Sequence, residues 1–197
     1  MKFTLLVVGR TVEKHYITAI DDYVARTKHF TQFDMEVIPE LKNTKSLSAE
    51  QQKEKEGELI LKALQPGDVV VLLDEHGKEF RSIEFADWIE KKMHTVNKRL
   101  VFIIGGPYGF APKVYQAAQE KISLSKMTFS HQMIRLIFVE QLYRAFTILN
   151  NNPYHHRIRR SSAMGRWSLY PPLYFKPLNV RKGLSPPYFS SSSNKKG

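Results

Sequence analysis

The sequence predicts an α/β fold, a mostly parallel sheet sandwiched by helices, and three observations predict it. Phe3 to Val8, Val69 to Leu73 and Leu100 to Ile104 are unbroken apolar runs rich in β-branched residues, as strands buried on both faces require. Segments with helical period separate these runs. Gly and Pro punctuation bounds them, so strand and helix alternate along the chain rather than clustering by type.

Each element has a local reason. The first apolar run ends at Gly9-Arg10. Val12, Tyr16, Ile20, Tyr23 and Val24 then recur at spacings of three and four, which predicts a helix ending near Lys28. Met35 to Ile38 reads as a strand stopped by Pro39, which has no N–H to give a ladder. Ser48 with Gln51 is a capping-box start, and the charged helix that follows, slightly weakened by Gly57, closes at Gln65-Pro66-Gly67-Asp68. After Val69 to Leu73, Asp74 to Gly77 reads as a polar turn and Ser82 as the cap of a helix through about His94. Leu100 to Ile104 runs into Gly105-Gly106-Pro107-Tyr108-Gly109. Pro112 suits the first turn of a short helix to about Gln119. Ile122 to Leu124 is a short strand, and Ser130 caps a long helix to about Leu149.

That last helix is apolar nearly all round. At about 100° per residue, Glu140, Arg144 and Thr147 share one narrow polar wedge. Ile134, Ile137, Phe138, Leu142, Ala145, Ile148 and Leu149 lie to one side of it, and Leu136, Val139, Tyr143 and Phe146 to the other. Such a helix must be buried on more than one face. One sheet does not achieve this, so a subunit interface along the helix, and hence a homodimer, is expected; a central helix within one chain is the alternative.

The 197 residues are one domain plus a tail. The net charge of +11 suggests a polyanion binder, but residues 158–197 hold eight basic residues and no acid. Residues 1–157, the expected folded domain, carry 22 basic and 19 acidic residues and are only mildly basic. In residues 158–197 Ser, Pro and aromatics mix with the basic residues without helical period. Disorder is expected there, either as an RNA-tethering tail or as an extension outside the natural gene. With no cysteine, thiolate metal sites and thiol nucleophiles are excluded, and a metal is not expected. No stretch approaches the roughly 18 apolar residues of a membrane span, so a cytoplasmic protein is expected, without a membrane partner.

Two connections carry candidate chemistry. Gly105 to Gly109 leaves a buried strand at its C-terminal end, where open α/β sheets bind ligands. It lacks the G-x-G-x-x-G spacing, which argues against an ordinary nicotinamide site. Leu124 to Phe129 joins strand to helix, and its amides and hydroxyls suit an adenine edge while Leu124 and Met127 cover the faces; an ordinary connection ending in an N-cap is the alternative. These connections meet the strand end Leu73-Asp74 only if strands 69–73, 100–104 and 122–124 are neighbours.

Four blocks in order now bear on family: Ile104 to Gly109, Leu124 to His131, Glu140 to Ala145 and Pro153 to His156. With them, residues 1 to about 157 resemble the SPOUT-class methyltransferases that modify 23S ribosomal RNA at pseudouridine 1915. The resemblance implies a deep C-terminal trefoil knot, a homodimer, S-adenosylmethionine as cofactor and methyl transfer to N3 of the pseudouridine in the large subunit or the 70S ribosome. It places the cofactor on Leu73, Gly105, Leu124, Ser125, Lys126, Met127, Thr128 and Phe129. Members end close to the Tyr-His-His segment, so the further forty residues here depart from the pattern.

The N3 proton must leave. His155 and His156, with an ordinary pKa near 6.5, suit a general base, or they contact phosphate. Tyr154 is a candidate for stacking on a splayed base. Arg144 either pairs with Glu140 at i, i+4 or faces substrate. His131 either lines the cofactor loop or is structural. The alternative to an enzyme is a nonenzymatic ribosome- or RNA-binding factor with the same fold.

Overall fold

A computed structural model describes residues 1–154; the expectations for residues 158–197 and for His155 and His156 lie outside the described residues. Strands β1 (Lys2–Val8), β2 (Phe33–Ile38), β3 (Asp68–Glu79), β4 (Arg99–Ile104) and β5 (Glu120–Ser123) form one sheet in the order β2-β1-β4-β3-β5, every pairing parallel. Helices α1 (Lys14–Lys28), α2 (Ala49–Ala63), α3 (Ser82–Thr95), α4 (Pro112–Ala117) and α5 (His131–Leu149) connect and cover it. Among the described residues no helix is long and apolar enough to cross a membrane.

Side chains alternate across a strand, and here both faces are covered. Phe3, Leu5 and Val7 of β1 and Leu100, Phe102 and Ile104 of β4 join Ile20 of α1, Ile89 of α3 and Phe138 of α5 in one core. Leu6, Val8, Val101 and Ile103 join Ile60 of α2 and Val114 of α4 in the other. This is why the apolar runs are unbroken. At the N-terminal end of the strands, buried Arg99 donates to Asp68 at 2.9 and 2.6 Å, to Glu36 at 3.2 Å and to the Ala63 carbonyl at 3.2 Å, tying β4, β3, β2 and α2 together.

Several boundaries differ from the sequence reading. β3 does not end at Leu73: both Leu73 and Lys78 register with Ile122, so Asp74 to Gly77 is a bulge inside a longer strand. A Cβ on Gly77 would lie 2.4 Å from the Ile122 backbone, so glycine lets the chain rejoin β5. Polar turn residues look alike at a strand end and in a bulge. Arg81, not Ser82, is the N-cap of α3, where the Glu84 carboxylate accepts the Arg81 N–H at 2.9 Å. α4 ends at Ala117 and β5 begins at Glu120, each about two residues early. The Ser48–Gln51 capping box and the Ser130 cap form as expected.

α5 packs against both α1 and α3, and Phe138, Val139, Leu142, Ala145 and Phe146 are buried within the chain. Part of the burial expected from a second subunit therefore comes from neighbouring helices. Leu136, Ile137 and Tyr143 stay partly exposed.

Candidate functional site

Because β4, β3 and β5 are adjacent, their C-terminal ends and the loops that leave them converge. They enclose a cavity of about 590 Å³ that reaches the start of α5. Of the residues predicted for the cofactor, Leu73, Gly105, Leu124, Ser125, Met127, Thr128 and Phe129 line it, whereas Lys126 does not. His131, the first residue of α5, lines it as well.

The loop after β5 is shaped by its own hydroxyls. Ser123 Oγ donates to the Ser125 carbonyl at 3.0 Å, and Ser125 Oγ accepts the Met127 N–H at 2.9 Å. Ser130 Oγ then accepts the Met133 N–H at 3.3 Å and starts α5. In the loop after β4, Gly109 takes the left-handed φ of 77° and donates to the Gly106 carbonyl at 3.1 Å, closing the turn. Gly105 and Gly106 have ordinary φ; they are buried at the wall instead.

Sequence reasoning missed the polar side of the cavity. Lys53, Asp74, Glu75, His76 and Tyr115 line it. The Tyr115 hydroxyl donates to Asp74 Oδ2 at 2.5 Å, and the His76 N–H donates to Asp74 Oδ1 at 2.9 Å. Burial, and then the bond to Asp74, push the Tyr115 pKa up to about 12. Burial alone would raise Asp74, but the Tyr115 hydroxyl, the His76 N–H and the nearby His76 and Lys121 charges hold it below the usual carboxylate value. Asp74 was signalled by its place at the strand end; Tyr115 and Lys53 carried no signal, being single polar residues on helices.

Arg144 and Tyr154 lie elsewhere. Arg144 pairs with Glu140, and its guanidinium sits 4.9 Å from the centre of the Tyr154 ring. The Tyr154 hydroxyl donates to Glu140 at 3.0 Å and lies 3.2 Å from the Tyr23 hydroxyl. Burial first, then Tyr23 and Glu140, raise its pKa well above the usual phenol value. Arg144 stands about 20 Å along α5 from His131, and neither it nor Tyr154 lines the cavity. Among the described residues no group of three or more His, Cys, Asp or Glu is placed to hold a metal ion.

The model of a family described as "Predicted SPOUT methyltransferase" matches residues 1–155. The chain is 91% identical to the ribosomal RNA large subunit methyltransferase H of Phocaeicola vulgatus over 156 residues, which make up 79% of this chain and 99% of that protein. The proteins of that name from Bacteroides fragilis and Parabacteroides distasonis are 83% and 68% identical over the same shares. With a match over almost the whole of such relatives, the chain belongs to the SPOUT methyltransferase family, in the group of the ribosomal RNA large subunit methyltransferase H proteins.

Proposed function

We propose that the protein methylates N3 of pseudouridine 1915 in 23S ribosomal RNA, with S-adenosylmethionine as donor and the large subunit or 70S ribosome as substrate. One observation carries this reading: Leu73, Gly105 and the loop from Leu124 to Phe129, far apart in sequence, line a single cavity at the C-terminal edge of a parallel sheet. Its volume is of the size that holds a small ligand. Wall residues Gly105 and Gly106 present backbone rather than side chain, Leu124 and Met127 offer apolar cover, and the polar side offers partners for an amino-acid moiety. Leu73, Gly105 and the loop from Leu124 to Phe129 would hold the donor, which would supply an electrophilic methyl on a cationic sulfur.

The chain's own part is to hold the base nitrogen in line with that methyl and to accept the N3 proton. His155 and His156 are the proposed bases, by their pKa range. The Glu140 carboxylate holds Arg144 and Tyr154 in one cluster, with the guanidinium over the ring, and this cluster is proposed to meet the substrate. One chain keeps the cluster and the cavity about 20 Å apart along α5. The reading therefore includes a homodimer in which each cluster serves the cavity of the partner. The deep C-terminal trefoil knot belongs to the same reading, and the family likeness is what supports it. A mildly basic body favours assembled ribosome over naked RNA, and the cytoplasm is the matching compartment.

The test incubates labelled donor with ribosomes from a strain lacking the modification and locates the label by mass spectrometry. Label on N3 of that pseudouridine is expected. Gly105→Trp is expected to abolish it, since even a Cβ there would lie 3.0 Å from the Phe110 ring. Ribosome binding without any transfer would identify a nonenzymatic factor instead.

A further inference from the structure

Behind the cavity wall lies a side chain that the proposed function does not use. Glu56 of α2 is 3% exposed. Its Oε1 accepts from Gln52 Nε2 at 2.8 Å, but its Oε2 is buried with no hydrogen-bond partner. Lys53, one turn earlier, pairs with Glu50. The orphaned oxygen is directed at the wall: a Cβ on Gly106 would sit 2.0 Å from it, and Gly106 lines the cavity. Glycine at 106 thus lets the carboxylate approach the back of the wall with no side chain between them.

Burying a carboxylate without a counter-charge is costly, and such groups gather at functional sites. Here the missing positive charge has a place to come from. A donor bound in the cavity is a sulfonium cation. After transfer the bond pair has returned to sulfur, and what remains is a neutral thioether. A negative charge behind the wall favours the first and not the second, and with only the Gly106 backbone between them that preference reaches the ligand.

We infer that Glu56 is a specificity-determining residue for ligand charge: acting through the Gly106 wall, its carboxylate favours the cationic methyl donor over the neutral product. The inference rests on the donor reading of the cavity. Isothermal titration tests it with three ligands: S-adenosylmethionine, neutral S-adenosylhomocysteine, and sinefungin, which carries an ammonium in place of the sulfonium. The unsubstituted protein is expected to bind the two cationic ligands on the order of tenfold tighter than the neutral one. Glu56→Gln, which keeps the shape and removes the charge, is expected to erase most of that difference while changing affinity for the neutral ligand less than about twofold. Equal affinities for all three in the unsubstituted protein would overturn the inference, whatever the substitution does to folding. An equal loss for all three in Glu56→Gln would overturn it too, leaving Glu56 as a mere support for the wall. If none of the three titrates into the unsubstituted protein, the donor reading itself fails and takes this one with it.

Discussion

The Tyr115 hydroxyl donates its one proton to Asp74 on the cavity's polar side, and pH reads this contact directly. The Tyr115 hydroxyl is raised by burial and then by Asp74 to about 12, above the ordinary tyrosine value near 10. Its contribution to stability is fully present below about pH 10 and is lost as pH rises through about 12. Asp74 is depressed, so its contribution is present above the ordinary carboxylate value and is lost as pH falls through its lowered one. Tyr115→Phe is expected to flatten the alkaline limb between about pH 10 and 12 and to cost at most about 1 kcal/mol at neutral pH. Urea unfolding across a pH series checks this; superimposable alkaline limbs would refute it. Leu73, Gly105 and the loop from Leu124 were legible as strand ends and connections, and their assignment to one ligand site came from the family resemblance. Tyr115, Lys53 and Glu56 were not, because nothing in a helix's period marks which of its polar residues faces a distant cavity.

Helix starts show the same division. Ser48 and Gln51 cap α2 from three residues apart, and the capping box is visible in the sequence. The N-cap residue of α1, Glu13, makes no side-chain capping bond. Its donors are met from the other end of the domain, where Gln132 Oε1 accepts the Val12 and Glu13 N–H groups at 2.9 and 3.0 Å. One turn on, buried Arg135 donates to the Val8 carbonyl at 2.6 Å and to Thr11 Oγ1 at 3.0 Å. Burial lowers its guanidinium pKa, against the opposing pull of Glu40. The start of α5 therefore anchors the connection between β1 and α1 as well as bordering the cavity. Gln132→Ala is expected to cost about 1 kcal/mol and to speed hydrogen exchange at Val12 and Glu13. Unchanged exchange there would show that the two N–H groups need no cap.

For the molecule as a whole, α5 decides the most. Its all-round apolar sequence led to a second subunit, yet α1 and α3 supply much of that cover. Ile134, Leu136, Ile137, Tyr143, Ile148 and Leu149 remain partly exposed, with the Arg144–Tyr154 cluster beyond. Light scattering is expected to give twice the chain mass of 22.9 kDa. Ile137→Glu is expected to return a folded single chain that keeps donor affinity and loses transfer. A single-chain mass for the unsubstituted protein would remove the dimer and with it the meeting of cluster and cavity. Removal of residues 158–197 is expected to leave donor affinity unchanged by titration.

By itself the sequence determined the fold class, the parallel strands and the ends from which the cavity is built. Those follow from short-range signals: a run of apolar residues, a cap three residues away, a glycine after a strand. Only the tertiary structure decided that β3 continues through a bulge, that Gln132 holds the entry to a helix more than a hundred residues away, and that Glu56 lies uncompensated behind Gly106. Each of these depends on which elements are neighbours in the sheet. That order is set by the packing of whole faces against one another, a property no local stretch of chain contains.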